Sequence, residues 1–267
     1  MPQVSIARLK EFGITPSRDL GQNFLIDDNV LKLAGRLLPP RPGEVVLEVG
    51  PGLGVLTRWL AARVRLVHAI EIDERLRPAL AVSLEGLDNV DLRFADVMRT
   101  DLRALDPPPA ALYANLPYAV ATPVIVTALP VVERFCVMVQ REIADRLRAS
   151  SGSRTYGAPS ALLQLACEIE LLRTVDRAVF RPRPHVDSAL LRLKRRSAAA
   201  PPALARFVRD AFAHRRKPIA GSLELTGGPS REAVRGALSA LGLDGDVRAE
   251  ALAPADFVHL AERLGVH

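Results

Sequence analysis

Val45-Val46-Leu47-Glu48-Val49-Gly50-Pro51-Gly52-Leu53-Gly54 is the stretch on which the fold turns. A short β-branched run ends in glycines, and Leu53–Ala62 follows with helical spacing and no proline, so the reading is strand, turn, helix. Outward from it, apolar runs recur at Leu66–Ile70, Val90–Phe94, Ala111–Ala114 and Phe135–Val139, each separated by enough chain for a crossover helix. Five such strands imply an α/β fold with a mostly parallel sheet covered on both faces. Two later runs, Cys167–Val175 and Ala189–Lys194, have no helix between them, and Pro182 and Pro184 break the interval. They are expected to pair as an antiparallel edge, which makes the sheet seven-stranded.

The rest of the chain sets bounds on this reading. Its 267 residues allow one ordinary domain and a smaller companion. With 49% hydrophobic and 25% charged residues the chain is globular, which excludes disordered and collagen-like classes. Cys136 and Cys167 have no CxxC spacing, so a disulfide framework and a cysteine zinc site are both unexpected, and a reducing cytoplasm is the expected compartment. Met1 to Lys10 lacks the apolar core of a secretory signal. Pro107 to Val132 carries no charge over a length that spans a bilayer, but Pro117, Pro123 and Pro130 interrupt it, so several short buried elements are expected and no membrane partner. Ser197–Pro202 reads as a linker, and Ala203–Phe212, Arg231–Leu241 and Pro254–Leu264 read as helices. Two domains are therefore expected, residues 1–196 and an all-helical 203–267.

Net charge is +6, and the excess is concentrated: residues 140–200 hold 12 basic and 6 acidic side chains, whereas the flanking segments are nearly balanced. A concentrated basic excess points to a polyanionic partner.

The glycine turn lies where a strand becomes a helix. Glycines there permit a tight turn and a close approach of ligand to backbone, and the helix start offers free N–H donors. The spacing departs from the GxGxxG of dinucleotide folds, which disfavours NAD. Glu71 ends the second strand, where a carboxylate can accept from both hydroxyls of a ribose. Asp73 nearby reads as a helix N-cap. Asp96 follows the third strand and can accept from an exocyclic adenine amine. His185 and His214 share no metal-ligand spacing with each other or with a cysteine, so no metal is expected.

Asn115-Leu116-Pro117-Tyr118 follows the fourth strand directly. With it the sequence resembles the ribosomal RNA adenine N6-dimethyltransferases that modify small-subunit (16S) RNA with S-adenosylmethionine. Leu20-Gly21-Gln22-Asn23-Phe24-Leu25, the Glu48–Gly54 turn, Glu71, Asp96, the Asn115–Tyr118 motif, Phe180-Arg-Pro-Arg-Pro-His-Val-Asp-Ser188 and Phe212-Ala-His-Arg-Arg-Lys217 carry the resemblance, in order along most of the chain. It implies a Rossmann-like class I methyltransferase domain with a small helical RNA-contacting domain. It also implies cofactor contacts at Asn23, Leu25, Gly50, Gly52, Glu71, Asp96 and Asn115.

The chemistry agrees with those residue types. An adenine amine is a poor nucleophile because its lone pair is delocalised into the ring, so a site must favour the pyramidal nitrogen. The Asn115 side-chain oxygen and the Leu116 carbonyl can accept from its two N–H groups, with Pro117 fixing the chain direction. Tyr118 can stack on the base, and the resemblance places Phe180 against it too. Arg181, Arg183, Arg215, Arg216 and Lys217 are the expected RNA contacts. The implied reaction is N6,N6-dimethylation of two adjacent adenosines in the 3′-terminal hairpin loop of small-subunit RNA, on an immature subunit, by a monomer. The competing readings are a large-subunit adenine N6-methyltransferase of the macrolide-resistance type and a non-catalytic ribosome assembly factor. Three places depart from the family pattern: Asp19 stands where small or basic residues are usual, Pro159 where leucine is usual, and Ala220-Gly221-Ser222 lacks the asparagine usual before Ser-Leu.

Overall fold

A computed structural model describes residues 9–17, 19–25 and 27–266. Contacts divide the chain into two compact units, Met1–Ala144 with Glu170–Arg195, and Asp145–Ile169 with Arg196–His267. The expected domains were 1–196 and 203–267; the contacts assign residues 145–169 to the unit that holds the C-terminal helices.

The first unit carries the sheet. The strands are β1 (Phe24–Leu25), β2 (Val45–Val49), β3 (Leu66–Glu71), β4 (Val90–Phe94), β5 (Ala111–Asn115), β6 (Arg134–Gln140), β7 (Cys167–Val175), β8 (Phe180–Arg181) and β9 (Ser188–Arg195), and β7 spans the division between units at Ile169 and Glu170. Seven of them form one sheet in the order β4-β3-β2-β5-β6-β9-β7. The five expected parallel strands are β2 to β6, and β9 runs antiparallel to β6 from Arg134↔Lys194 to Gln140↔Ser188. β7 lies beside β9 at the edge, as expected. A two-residue ribbon, Leu25↔Phe180 and Phe24↔Arg181, was not foreseen, because neither half is long enough to show a period.

Every residue of β2 is buried, as a central parallel strand requires. Val46, Val67, Ala69, Ala111 and Tyr113 pack in one cluster with Leu31 and Ala34 of α1 (Asp28–Leu37) and Leu60 of α2 (Val55–Ala61). A smaller cluster joins Phe24 and Leu53 to Leu76, Ala79 and Leu80, the last two on α3 (Arg77–Leu84). The helix expected from Leu53 starts two residues later because Gly54 is left-handed, at φ 77°. A Cβ there would lie 2.7 Å from Ser83 Oγ on α3, so the third glycine serves a close approach between helices. Pro107 to Val132 holds β5 and α4 (Ala121–Ala128), and no helix among the described residues is long and apolar enough to cross a membrane.

The second unit is helical, with α6 (Ala158–Ala166), α7 (Pro202–Ala213), α8 (Ile219–Leu225), α9 (Arg231–Ala240) and α10 (Pro254–Arg263); α5 (Arg141–Leu147) spans the division between units. Tyr156, Phe212 and Phe257 form an aromatic chain, with ring centroids 5.9 and 5.6 Å apart, inside a core that includes Phe207, Val208, Leu223, Val234 and Leu260. Pro159 sits in the first turn of α6, where a missing N–H costs little, which accounts for proline at that position. α8 was not expected; it is short and contains Gly221, and burial of Ile219–Leu223 stabilises it in place of propensity.

Candidate active site

In the order β4-β3-β2-β5-β6, the chain adds strands on one side of β2 and then on the other, so β2 and β5 flank a topological switch point. A cavity opens at the carboxyl ends of these strands. It is lined by residues 20–25, the glycine turn, Glu48, Glu71 and Ile72, Asp96 to Met98, and Asn115 to Tyr118. Asn23, Leu25, Gly50, Gly52, Glu71, Asp96 and Asn115 are thus all on one wall or another of a single space.

Glu71 is 4% exposed, and its carboxylate is held by two backbone donors: Gly52 N–H to Oε2 at 3.0 Å and Asp73 N–H to Oε1 at 2.9 Å. An ionised carboxylate has about four acceptor sites, so it keeps acceptor capacity for a hydroxyl. Burial raises its pKa, and the backbone N–H groups of Asp73, Gly52 and Ile72 oppose that. The Gly52 N–H can aim at Glu71 because Gly52 is left-handed, at φ 60°; a Cβ there would also press on the Phe24 ring at 3.1 Å. Asp96 Oδ1 caps the turn Val97–Arg99 by accepting from Met98 N–H at 2.9 Å, which leaves the other oxygen at the cavity edge, 3.6 Å from Arg99 Nε. Asp73 caps the turn Glu74–Leu76 as expected, and Arg75 holds its carboxyl below the usual range.

At the end of β5, the Asn115 Nδ2 donates to the Asn23 carbonyl at 3.0 Å. Among the described residues Oδ1 has no protein partner, so the amide presents an acceptor. Leu116 N–H donates to the Met138 carbonyl at 3.0 Å, which ties the motif to β6. The buried Leu116 side chain anchors it further. Tyr118 shares a hydrogen bond of 2.9 Å with Ser188 Oγ, and burial raises its pKa.

Other expected residues lie elsewhere. Phe180 is 1% exposed, sits in the main core cluster and is absent from the cavity lining; the ribbon with β1 turns it inward. Arg181 and Arg183 are exposed, and Arg181 Nη1 donates to the Phe180 carbonyl at 2.9 Å. In the helical unit Arg215 is committed to its own fold: Nε donates to Glu250 Oε2 at 2.9 Å and Nη2 to the Tyr156 carbonyl at 3.0 Å. Arg216 and Lys217 are exposed. No metal-ligating cluster occurs among the described residues.

Two features were missed. Gln22 reaches Asp73 across the cavity rim, Nε2 to Oδ2 at 2.8 Å; nothing in the spacing of residues 51 apart announces it. Glu48 is 1% exposed, lines the cavity and has no hydrogen-bond partner on either oxygen. Burial pushes it up to about 8; the nearby Thr57 hydroxyl, itself unpartnered, opposes the shift and the Glu71 charge adds to it. An acidic residue inside the run Val45–Val49 was the available signal.

A seven-stranded sheet of this order, with a glycine turn after its central strand, an acid ending the next strand and an Asn-Leu-Pro-Tyr motif after β5, defines a Rossmann-like class I methyltransferase. The chain belongs to the ribosomal RNA adenine dimethylase family, whose model matches residues 15–265. It is 43% identical over 254 residues to ribosomal RNA small subunit methyltransferase A of Rubrobacter xylanophilus, covering 93% of this chain and 95% of that one. It is 43% identical over 265 residues to the protein of the same name from Deinococcus radiodurans, covering 97% and 89%. Among solved structures, a dimethyladenosine transferase from Plasmodium falciparum shares the fold, with TM-score 0.77, 23% identity and coverage of 91% and 99%. The 23S rRNA methyltransferase ErmE matches with TM-score 0.66, 30% identity and coverage of 91% and 100%.

S-adenosylmethionine is the methyl donor of this family, and the residues present fit it. The free lone pairs of Glu71 suit its ribose, Asp96 suits its adenine amine, and the side-chain-free backbone at Gly50 and Gly52 admits close approach.

Proposed function

We propose that the protein dimethylates N6 of two adjacent adenosines in the 3′-terminal hairpin loop of small-subunit ribosomal RNA, acting as a cytoplasmic monomer on an immature subunit. Residues 1–196 carry the transfer and residues 203–267 add RNA contacts. The carrying observation is the Asn115 amide, whose donor side is spent on Asn23 and whose acceptor side is left for an amine. The relatives named as small-subunit methyltransferases, matched over nearly the whole of both chains, support the choice of RNA.

The bound donor supplies an electrophilic methyl group on a sulfonium. Everything else falls to the chain. Asn115 Oδ1 and the Leu116 carbonyl accept from the two amine N–H groups, which turns the nitrogen lone pair out of the ring plane and towards the methyl. Tyr118, braced through Ser188, offers its ring to the extruded base; stacking of this kind contributes about 1–3 kcal/mol. Each transfer leaves the nitrogen cationic until it releases one proton to solvent, so after the first a single N–H remains and one acceptor suffices for the second. After two none remains, and the product has no hydrogen bond to the motif at its nitrogen. Arg181, Arg183, Arg216 and Lys217 neutralise phosphate in this reading, which their exposure supports.

The test is incubation with labelled donor and either immature small subunits or large-subunit RNA, followed by mapping of methylated positions by mass spectrometry. Dimethylated adjacent adenosines near the small-subunit 3′ end are expected. Methylation confined to large-subunit RNA, or subunit binding without transfer, would overturn the reading.

A further inference from the structure

A continuous set of bonds joins the cofactor wall to the acceptor amide. Glu71 accepts from Gly52 and Asp73 N–H groups at 3.0 and 2.9 Å. Asp73, 5% exposed, is clamped by Arg75, with Nε to Oδ1 at 2.8 Å and Nη2 to Oδ2 at 2.6 Å. The same Oδ2 accepts from Gln22 Nε2 at 2.8 Å. Gln22 Oε1 in turn accepts from Ser17 N–H at 2.8 Å, so both ends of its amide are engaged and its orientation is fixed. The next residue is Asn23, whose carbonyl receives Asn115 Nδ2. Residues 21–25 thus form a strap whose place over the cavity is set by Gln22 on one side and by β1–β8 pairing on the other.

A carboxamide is nearly the same shape when turned by half a revolution, but the turn exchanges its donor and acceptor. Only a hydrogen-bond partner can choose between the two. For Asn115 that partner is the Asn23 carbonyl, one peptide unit from the latch. We propose that Gln22 and Asp73 are positioning residues for methyl transfer: by latching the strap they hold the Asn23 carbonyl where it orients the Asn115 amide with its oxygen towards the acceptor amine. The inference rests on the reading of Asn115 as the amine acceptor. It also explains why a residue that caps a short turn is buried and bonded on both oxygens, which capping alone does not require.

Gln22→Met keeps the length of the side chain and removes both of its hydrogen bonds. Asp73→Ser keeps an oxygen to cap the turn but cannot reach Gln22, and serves if the first variant unfolds. Each is expected to lower single-turnover transfer by about 10–100-fold at saturating donor and RNA. The double variant is expected to be no worse than either single one, because both break the same link. In NMR spectra of the donor-free protein, the Asn115 side-chain amide, identified by its disappearance in Asn115→Ala, should lose its slowly exchanging proton in either variant. Wild-type transfer and an unchanged Asn115 signal in folded Gln22→Met would overturn the latch. So would losses that multiply in the double variant. Undiminished transfer by Asn115→Ala would instead overturn the acceptor reading beneath it, so the two failures are distinguishable.

Discussion

The cofactor corner and the basic segments use charge in opposite ways. At the carboxyl rim of β2, β3 and β5, Glu48, Glu71 and Asp73 are each at least 95% buried, and two of the three are satisfied by backbone N–H groups or named side chains. In the segments rich in arginine the charges are exposed, and several already have partners: Arg192 with Glu170, Arg196 with Glu168, Arg215 with Glu250. A buried carboxylate must be placed to better than an ångström to be tolerated, so its role follows from its position. An exposed arginine tolerates many arrangements, and its role follows only from what it fails to bind within the chain.

Methyl transfer depends most on the motif itself. Asn115→Ala should cut methyl transfer by about 10²–10³-fold, the range for loss of one preorganised polar contact at a reacting atom, while RNA binding persists. Single-turnover assays and filter binding on the same subunits check it. Next in size, Glu71→Ala removes a charged acceptor and unties Gly52 and Asp73 together. Donor affinity, measured by calorimetry, should fall about 10–100-fold, as loss of charge-assisted hydrogen bonds implies. RNA affinity should not move.

The exposed arginines sharpen the comparison with smaller effects. Arg216→Ala with Lys217→Ala should weaken RNA binding several-fold and reduce the slope of log affinity against log salt by about one per lost phosphate contact. Arg215→Ala should leave that slope nearly unchanged and lower the melting temperature, because its guanidinium is spent on Glu250 and two carbonyls of its own unit. Equal salt slopes for the two variants would show that internal pairing does not separate structural from RNA-binding arginines.

The same contrast governs what could be read in advance. All five parallel strands were legible within a residue or two: β2, β3, β5 and β6 because an interior parallel strand is mostly apolar, and β4, at the sheet's edge, because its apolar residues alternate with charged ones. That Glu71, Asp96 and Asn115 line one cavity was legible because each falls at or just after a strand's carboxyl end, which chain order alone locates. Gln22 to Asp73 was not, since contact between residues so far apart in sequence depends on how the strap crosses the rim. Phe180 was expected to face a base and instead fills the core, because the β1–β8 ribbon that turns it inward is too short to leave a pattern. Arg215 could not be told from Arg216 by sequence, since neighbours on one loop differ only in whether a carboxylate lies within reach.

The smallest effect concerns Glu48. Its folded pKa is about 8 against an ordinary 4.5, with burial the leading cause, so the native state holds a proton that the unfolded chain releases. The unfolded state then binds fewer protons, and stability falls as pH rises between those two values. Below about 4.5 the contribution is fully present, and by about 8 it is lost. Glu48→Gln mimics the protonated form at every pH. It should therefore melt closer to the parent at pH 5 than at pH 8, where it should melt clearly above the parent, as the measured Tm values will show. Equal shifts at both values would mean that Glu48 is ionised in the folded protein at pH 5. The burial that makes the cofactor corner legible would then be bearing a full charge, and the contrast with the basic segments would fail at its most enclosed residue.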